Sequence, residues 1–171
     1  MTMPPRLRKF ALTAHVASSV GWLGAVAGFL AIAVVGLTSR DAPTVRGAYL
    51  VMDPAARMVL VPLAFASLLT GLVQALGTPW GVVRHYWVLF KLLINLFATV
   101  VLLLYLETFR IMARVAADPN VDLSMVRNPS PALHAGAALL LLLVATTLSV
   151  YKPRGVTPFG RRKQRERRTV S

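Results

Sequence analysis

The sequence predicts an all-α integral membrane protein, a four-helix bundle whose two termini both lie in the cytoplasm. Three observations lead to this fold class. The chain of 171 residues is 56% hydrophobic and 15% charged, with a mean hydropathy of +0.64, whereas soluble domains have about 25% charged residues. The apolar residues form long runs instead of periodic faces. Basic residues are concentrated at both ends of the chain.

The chain begins with a basic segment, residues 1–9, and its first apolar run follows at about 10–37. A helix needs roughly 20 apolar residues to cross a bilayer, so this run is long enough. A cleaved signal peptide has an apolar core of only about 7–15 residues. We therefore predict an uncleaved first span that is preceded by a cytoplasmic N-terminus.

Two further spans are predicted at about 58–76 and 86–106, where the chain is again apolar. Between the first and second spans, residues 38–57 are polar and contain two Asp-and-Pro pairs, which predicts a loop. Residues 77–81 predict a tight turn between the second and third spans. Residues 108–117 are expected to extend the third helix beyond the lipid.

The last predicted span, at about 131–150, completes a transmembrane domain at 10–152. Residues 153–171 are strongly basic and predict a disordered cytoplasmic tail. The net charge of +13 favours either nucleic-acid binding or the positive-inside arrangement of a membrane protein. The basic run at 161–168 has no aromatic residue interleaved in it to support specific nucleic-acid binding, so the expected partners are the bilayer and its anionic headgroups.

Lys91 lies about five residues inside the third apolar run, where an ammonium group costs roughly 2.5 kcal/mol or more. His15 and Gln74, on the first and second spans, are expected in the same cytoplasmic half as Lys91, and Asn95 lies one turn further along the third span on the same face as Lys91. Together they are the candidate cofactor-binding residues, and His15 and Lys91 are the catalytic candidates. The alternative is structural: Lys91 reaches the headgroups, His15 bonds a carbonyl group, and Asn95 links helices.

Other chemistry is limited by what the sequence lacks. It has no cysteine, no glycine-rich phosphate loop and no His-Glu-x-x-His pattern, and we predict no metal site. His134, near the outer end of the fourth span, can in principle bind haem iron or mark a proton path. A single His at a helix end is more often structural. His85 is expected in a solvated loop.

Small residues spaced four apart occur in three of the predicted spans, for example at Gly24 and Gly28. Such spacing lets two helix backbones approach closely. The contact can lie inside the bundle or between two copies of the chain, so a homo-oligomer or a membrane complex remains open.

A short pattern in the first span, formed by His15, Trp22 and Gly24, resembles the opening of several small bacterial membrane families. These are the copper-resistance D family, the membrane-bound protoporphyrinogen oxidase family and uncharacterised integral membrane proteins of actinobacterial type. Trp87-x3-Lys91 is similar to a segment of the oxidase family. That resemblance implies functional roles for His15 and Lys91, a link to haem, and a multi-pass location in the bacterial cell membrane. The overall likeness is greatest to the uncharacterised group, which implies no activity.

Three functions follow as hypotheses. The first is an accessory or assembly protein with four spans and no catalytic activity. The second is a haem- or tetrapyrrole-associated redox protein that uses His15 and Lys91. The third is a permease for small solutes or metal ions, although no methionine pair lines a predicted span as copper handling would favour. The sequence favours a non-enzymatic role without deciding the question.

Overall fold

The molecule is a bundle of long α-helices, seen in a computed structural model that describes residues 3–78 and 81–162. Within these residues, four helical segments are long and apolar enough to cross a membrane, as the sequence predicted. The elements, in chain order, are α1 (Pro5–Thr38), α2 (Ala42–Ala55), a π-helical turn (Ala56–Leu60), α3 (Val61–Gly77), α4 (Tyr86–Ala117), α5 (Leu123–Val126) and α6 (Ser130–Tyr151).

The core lies where α1 and α4 meet the other helices. α1 packs against α2, α3 and α6, and α4 packs against the same three helices. The ring of Phe29 meets that of Phe109 edge to face, with centroids 5.1 Å apart, and Trp22 is also buried. Large apolar side chains on the outward faces are exposed, as expected for surfaces that contact lipid.

The segment between the first two spans differs from its prediction. Residues 42–55 form α2, a helix, instead of a loop. Asp41 caps its start, accepting hydrogen bonds from the hydroxyl and the backbone N–H of Thr44, and these bonds lower the pKa of the Asp41 carboxyl below its ordinary value. Val45, Tyr49 and Met52 recur on one face and are fully buried. Asp41 and Pro43, interpreted as loop signals, are here the start of a helix, and Asp53 and Pro54 lie in its last turn.

A π-helical turn at Ala56–Leu60 joins α2 to α3 without a loop. Pro54 and Pro62 have no N–H to donate, so regular α-helical bonding is interrupted on both sides of the turn. The N–H of Val61 instead bonds the carbonyl of Ala56, five residues back. The predicted second span, 58–76, is therefore the C-terminal part of one helical segment of 36 residues, Ala42–Gly77.

The helix of the third span runs to Ala117, which confirms the predicted extension beyond residue 106. A polar layer lies at one end of the bundle, which we call the loop end (residues 38–57 and 107–130). It consists of α2, the last turns of α4, α5 and the turns that connect them. Arg46 and Arg127 hold this layer together. Arg46 donates to the carbonyls of Ala116, Asp118, Pro119 and Val121 at 2.6–3.3 Å, and Arg127 to those of Leu37 and Ser39.

The opposite end of the bundle, which we call the tail end, contains residues 3–9, 77–78, 81–86 and 151–162. Here the sequence predicted a tail that is disordered from residue 153. The structure instead pairs His85 with Val156, and the Thr157 hydroxyl donates to the Val83 carbonyl at 2.6 Å. Residues 155–157 thus pack on the α3–α4 connection, because their backbone supplies partners for its N–H and carbonyl groups. The rest of the predicted tail, 163–171, lies outside the described residues.

Candidate functional site

His15 lies in α1 with both ring nitrogens in contact with side chains of other helices. Nδ1 is 3.1 Å from Oγ1 of Thr70 in α3, and Nε2 is 3.4 Å from Nζ of Lys91 in α4. The ring lies close to the α3 backbone at Gly71, where a Cβ atom would come within 3.0 Å of His15 Cε1. A glycine at this position therefore makes room for the imidazole between the helices.

Lys91 joins a fourth helix to this group. Its Nζ donates to Oγ of Ser149 in α6 at 2.9 Å, and Ser149 in turn donates to the Ala145 carbonyl. The ammonium therefore points between α1 and α6, into the bundle. The structure brings the side chains of His15 and Lys91 into contact, with Thr70 and Ser149 as their further partners. We call these four residues the His–Lys cluster.

The hydrogen bonds indicate which groups carry protons. An ammonium group can only donate, so His15 Nε2 is assigned as an acceptor and Nδ1 as the nitrogen that bears hydrogen. Nδ1–H then donates to the Thr70 hydroxyl, which donates to the Ala66 carbonyl. This assignment makes the imidazole neutral and fixes its tautomer.

Lys91 has no carboxylate partner among the described residues. The acidic residues of this part of the chain all lie in the loop-end half: Asp41, Asp53, Glu107, Asp118 and Asp122. Glu107, on the same helix as Lys91, is about 24 Å away along the axis. The ion pairs found in the described structure, Arg57–Asp53 and Arg110–Glu107, are also in that half. The positive charge of Lys91 is therefore solvated by neutral groups.

Two other predicted site residues do not contact the cluster through their side chains. The Asn95 side chain donates to the backbone carbonyl of Lys91 at 2.7 Å, within its own helix. Gln74 lies one turn beyond Thr70 on α3, and its buried Nε2 has no hydrogen-bond partner among the described residues. Both lie near the cluster in sequence, but the structure gives neither a direct bond to His15 or to the Lys91 ammonium.

Two serines of α1 extend the polar contacts around His15. Ser18 Oγ lies 3.2 Å from the Thr70 hydroxyl, and Ser19 Oγ lies 2.8 Å from that of Ser67. Ser149 was not predicted, because a single serine in an apolar helix produces no recognisable spacing. The signal that could have found it is its depth, two residues before the end of α6 and so level with Lys91.

His134 is remote from the His–Lys cluster. It lies in the first turns of α6, near the loop end, where its Nδ1 donates to the Ser130 carbonyl at 2.8 Å. Its ring packs on Tyr105, with centroids 4.3 Å apart. His15 and His134 therefore do not face one site, and they cannot ligate the same iron from the two sides of a haem. His85 is only partly exposed and pairs with the tail segment.

The residues around His15 do not fit an iron-bound haem. An axial histidine needs one free ring nitrogen, and here Thr70 and Lys91 contact both. The cavity of about 260 Å³ in the described structure is lined by Trp22, Phe29 and other residues further along α1, and not by His15. Among the described residues, no group of three His, Asp or Glu side chains is arranged to hold a metal ion.

Comparisons with known proteins supply no further assignment: no protein-family model, no curated protein and no solved structure matches this chain. The fold alone does not specify a function, since four-helix bundles serve many. The function is therefore argued from the chemistry of the cluster.

Proposed function

We propose that this chain is a non-catalytic accessory protein of the bacterial cell membrane that binds the carboxylate of a membrane-soluble ligand at the His–Lys cluster. The observation that supports this most is the environment of Lys91. Lys91 belongs to a helix that is apolar around it, and its ammonium group contacts only the neutral side chains of His15 and Ser149 among the described residues. An anion is what this arrangement lacks.

Charge balance favours a carboxylate. Neutral hydrogen-bond acceptors reduce the cost of placing an ammonium in lipid, but they leave its charge uncompensated. An anion beside Nζ compensates the charge and accepts a charge-assisted hydrogen bond, roughly twice as strong as a neutral one. His15 Nε2 lies beside the same ammonium group and can donate to the carboxylate once it is protonated, whereas the hydrogen of the Ser149 hydroxyl already bonds the Ala145 carbonyl.

Simple snorkelling is the competing explanation, because Lys91 starts only about 7 Å from the beginning of α4. A snorkelling side chain extends toward the headgroups, away from the bundle. The Lys91 side chain instead extends to Ser149 and His15 on two other helices. This direction favours a binding role.

His15 supplies a base for a ligand that arrives as the neutral acid. The proton of the carboxylic acid passes to His15 Nε2, which leaves a carboxylate between an imidazolium and the Lys91 ammonium. Thr70 accepts from Nδ1–H in both states and so keeps the ring in place. A tetrapyrrole that bears propionate groups suits this chemistry through its carboxylates, without coordination of a metal by His15.

The proposal also orients the protein. The basic segments at the tail end favour a cytoplasmic location for both termini, and in this orientation the His–Lys cluster lies in the inner half of the bilayer. Basic residues near the surface contribute roughly 1 kcal/mol each to attraction for anionic lipids. A ligand would then reach the cluster from the inner leaflet.

The test is a set of three porphyrins titrated into the purified protein in detergent, followed by absorption and fluorescence. Metal-free protoporphyrin IX has two carboxylates, haemin adds iron, and octaethylporphyrin has no carboxylate. We expect the first two to bind and the third to bind much more weakly. Lys91→Met should weaken protoporphyrin binding at least about thirtyfold, because it removes one partner of a buried charge pair. Lys91→Arg should retain most of the affinity, and Lys9→Met is the matched control.

A long-chain fatty acid in the same titration separates the two sources of a carboxylate, lipid and tetrapyrrole. If Lys91→Met alters neither binding nor thermal stability, Lys91 only snorkels and the proposal is wrong. If haemin binds with a Soret band that depends on His15 while protoporphyrin does not bind, iron coordination replaces the carboxylate as the basis of recognition.

A further inference from the structure

The chain turns sharply where α6 ends. Lys152, the residue that follows α6, has φ +43° and ψ +61°, and among the described residues it is the one non-glycine residue with a positive φ. The next residue is Pro153, and a residue that precedes proline favours extended backbone. A non-glycine residue stays in such a conformation only where the surrounding structure holds it there. The contacts that hold it lie in the segment that follows.

Residues 152–162, which we call the strap, are docked on the connection between α3 and α4. The Tyr86 N–H donates to the Gly155 carbonyl at 3.3 Å, and the Thr157 N–H donates to the Arg84 carbonyl at 3.0 Å. Thr157 is only 6% exposed, and its hydroxyl makes the bond to residue 83 described above. These bonds join backbone to backbone across more than 70 residues of sequence, so they fix where the strap lies.

Gly160 allows the strap to approach this closely. A Cβ atom at Gly160 would lie 2.6 Å from the Arg84 carbonyl oxygen, closer than real Cβ atoms come to another heavy atom. Because that oxygen belongs to the backbone, it cannot turn aside as a flexible side chain can. At Gly155, a Cβ atom would lie 3.5 Å from the Tyr86 ring, which is an ordinary contact. Docking therefore requires a glycine at position 160 but not at position 155.

The strap passes from α6 to α4 beside the His–Lys cluster. Ser149 lies two residues, about 3 Å, before the end of α6, and Lys91 lies five residues, about 7 Å, after the start of α4. The side chains of these two residues are bonded to each other between the helices. Since the strap joins the same two helix ends, it lies across the route from the tail end to this bond.

We propose that the strap closes the aqueous route from the tail end to the His–Lys cluster, which restricts the cluster to ligands that arrive through the bilayer. A water-soluble carboxylate reaches Lys91 only when the strap is released, whereas a membrane-soluble one enters between the helices. The strap thus selects the class of ligand, and this role rests on the proposed function. The strained turn at Lys152 favours release and the docking contacts oppose it, so the closed state depends on those contacts.

Labelling of a single introduced cysteine measures the closure without a ligand. The thiol of Ser149→Cys, in the purified full-length protein in detergent, is treated with sulfonatoethyl methanethiosulfonate, an anionic reagent that stays in water. N-phenylmaleimide, which is neutral and dissolves in the micelle, is the reference reagent. We expect Gly160→Ala to raise the labelling rate with the sulfonate at least about tenfold, because overpacking against fixed backbone shifts the strap toward release. The rate with N-phenylmaleimide should change by less than about twofold, since its route does not pass the strap.

Three controls separate the docking contacts from a general loosening of the fold. Gly155→Ala, the matched control in the strap, should leave the sulfonate rate unchanged. Thr157→Val retains the shape of the side chain and removes its bond to the Val83 carbonyl, so it should raise the rate about tenfold, the size of one net hydrogen bond. The thiol of Ser124→Cys, at the exposed loop end, should respond to none of these changes.

The closure and the carboxylate site can fail separately. Equal sulfonate rates with the unaltered strap and with Gly160→Ala would overturn the closure. Acceleration by Gly155→Ala would overturn it as well, because the rate would then not follow the docking contacts. If porphyrins fail to bind while the labelling contrast persists, the carboxylate site is wrong and the closure stands.

Discussion

Tyr49 shows how a single side chain joins two parts of this chain that are far apart in sequence. It is fully buried in α2. Its hydroxyl donates to the backbone carbonyl of Asn128 at 3.2 Å and accepts from the N–H of the same residue at 3.0 Å. Because Asn128 lies just before α6, this pair of bonds ties the loop-end layer to the start of the last helix.

We expect Tyr49→Phe to destabilise the protein by about 1–3 kcal/mol, since it leaves the N–H and the carbonyl of Asn128 without this partner in a partly buried position. The aromatic ring is retained, so packing contributes little to the loss. Thermal unfolding in detergent, followed by circular dichroism, measures it. Tyr151→Phe is the matched control, because Tyr151 is 79% exposed and should tolerate the change. Equal melting temperatures for the two variants would contradict the role of the hydroxyl.

At the scale of single residues, the sequence alone identified polar side chains that lie in apolar runs. His15 and Lys91 are polar groups in apolar runs, so their cost in lipid marks them without knowledge of the fold. Ser149 and Arg46 could not be found in this way. A serine costs little in a helix, and the carbonyls bound by Arg46 belong to backbone 70 residues or more away, which only the folded chain brings within reach.

Glycines decide how closely the helices approach, and the structure separates those that matter from those that do not. A Cβ at Gly36 would lie 3.1 Å from Cβ of Ala48 and 3.2 Å from the Tyr49 ring, so α1 and α2 need a glycine there. At Gly24 and Gly28, which the sequence marked by their spacing, a Cβ would meet nothing within 4 Å. Spacing alone cannot tell which face of a helix meets a neighbour.

Gly36→Ala is therefore expected to destabilise the fold by about 1–3 kcal/mol, as overpacking of a close contact does. Neither neighbour can yield easily, because Ala48 and Tyr49 are buried. Gly28→Ala, the matched control in the same helix, should be neutral or stabilising by up to about 1 kcal/mol, from helix propensity alone. The comparison is made by thermal unfolding of both variants. Destabilisation by Gly28→Ala instead would indicate that this face contacts another protein.

The spans were predictable at the scale of elements, because long apolar runs have few alternatives to a membrane helix. The helix α2 could not be predicted from the sequence. Its polar residues and prolines resemble a loop, and its helical character depends on a buried face that packs on α1 and α4. The order in residues 155–157 also depends on tertiary partners, namely the backbone of residues 83–86.

Considered as a whole, the described molecule has an uneven charge distribution. Basic residues without nearby acids occur at the tail end, including Arg6, Arg8 and Arg154. At the loop end, arginines and carboxylates are mixed, and Arg46, Arg57 and Arg127 bond backbone carbonyls. Lys and Arg in short flanking segments favour the cytoplasmic side. This charge asymmetry predicts that the tail end faces the cytoplasm.

Labelling of single introduced cysteines tests this orientation, since the chain has none of its own. We expect a membrane-impermeant maleimide to label Ser124→Cys, at the exposed loop end, on intact cells. Ser171→Cys should be labelled only after the membrane is opened. The reverse pattern would place the His–Lys cluster in the outer half of the bilayer. Its ligand would then have to come from the outer leaflet, and the basic segments would need a role other than orientation, because positive flanks on the outer side act against insertion.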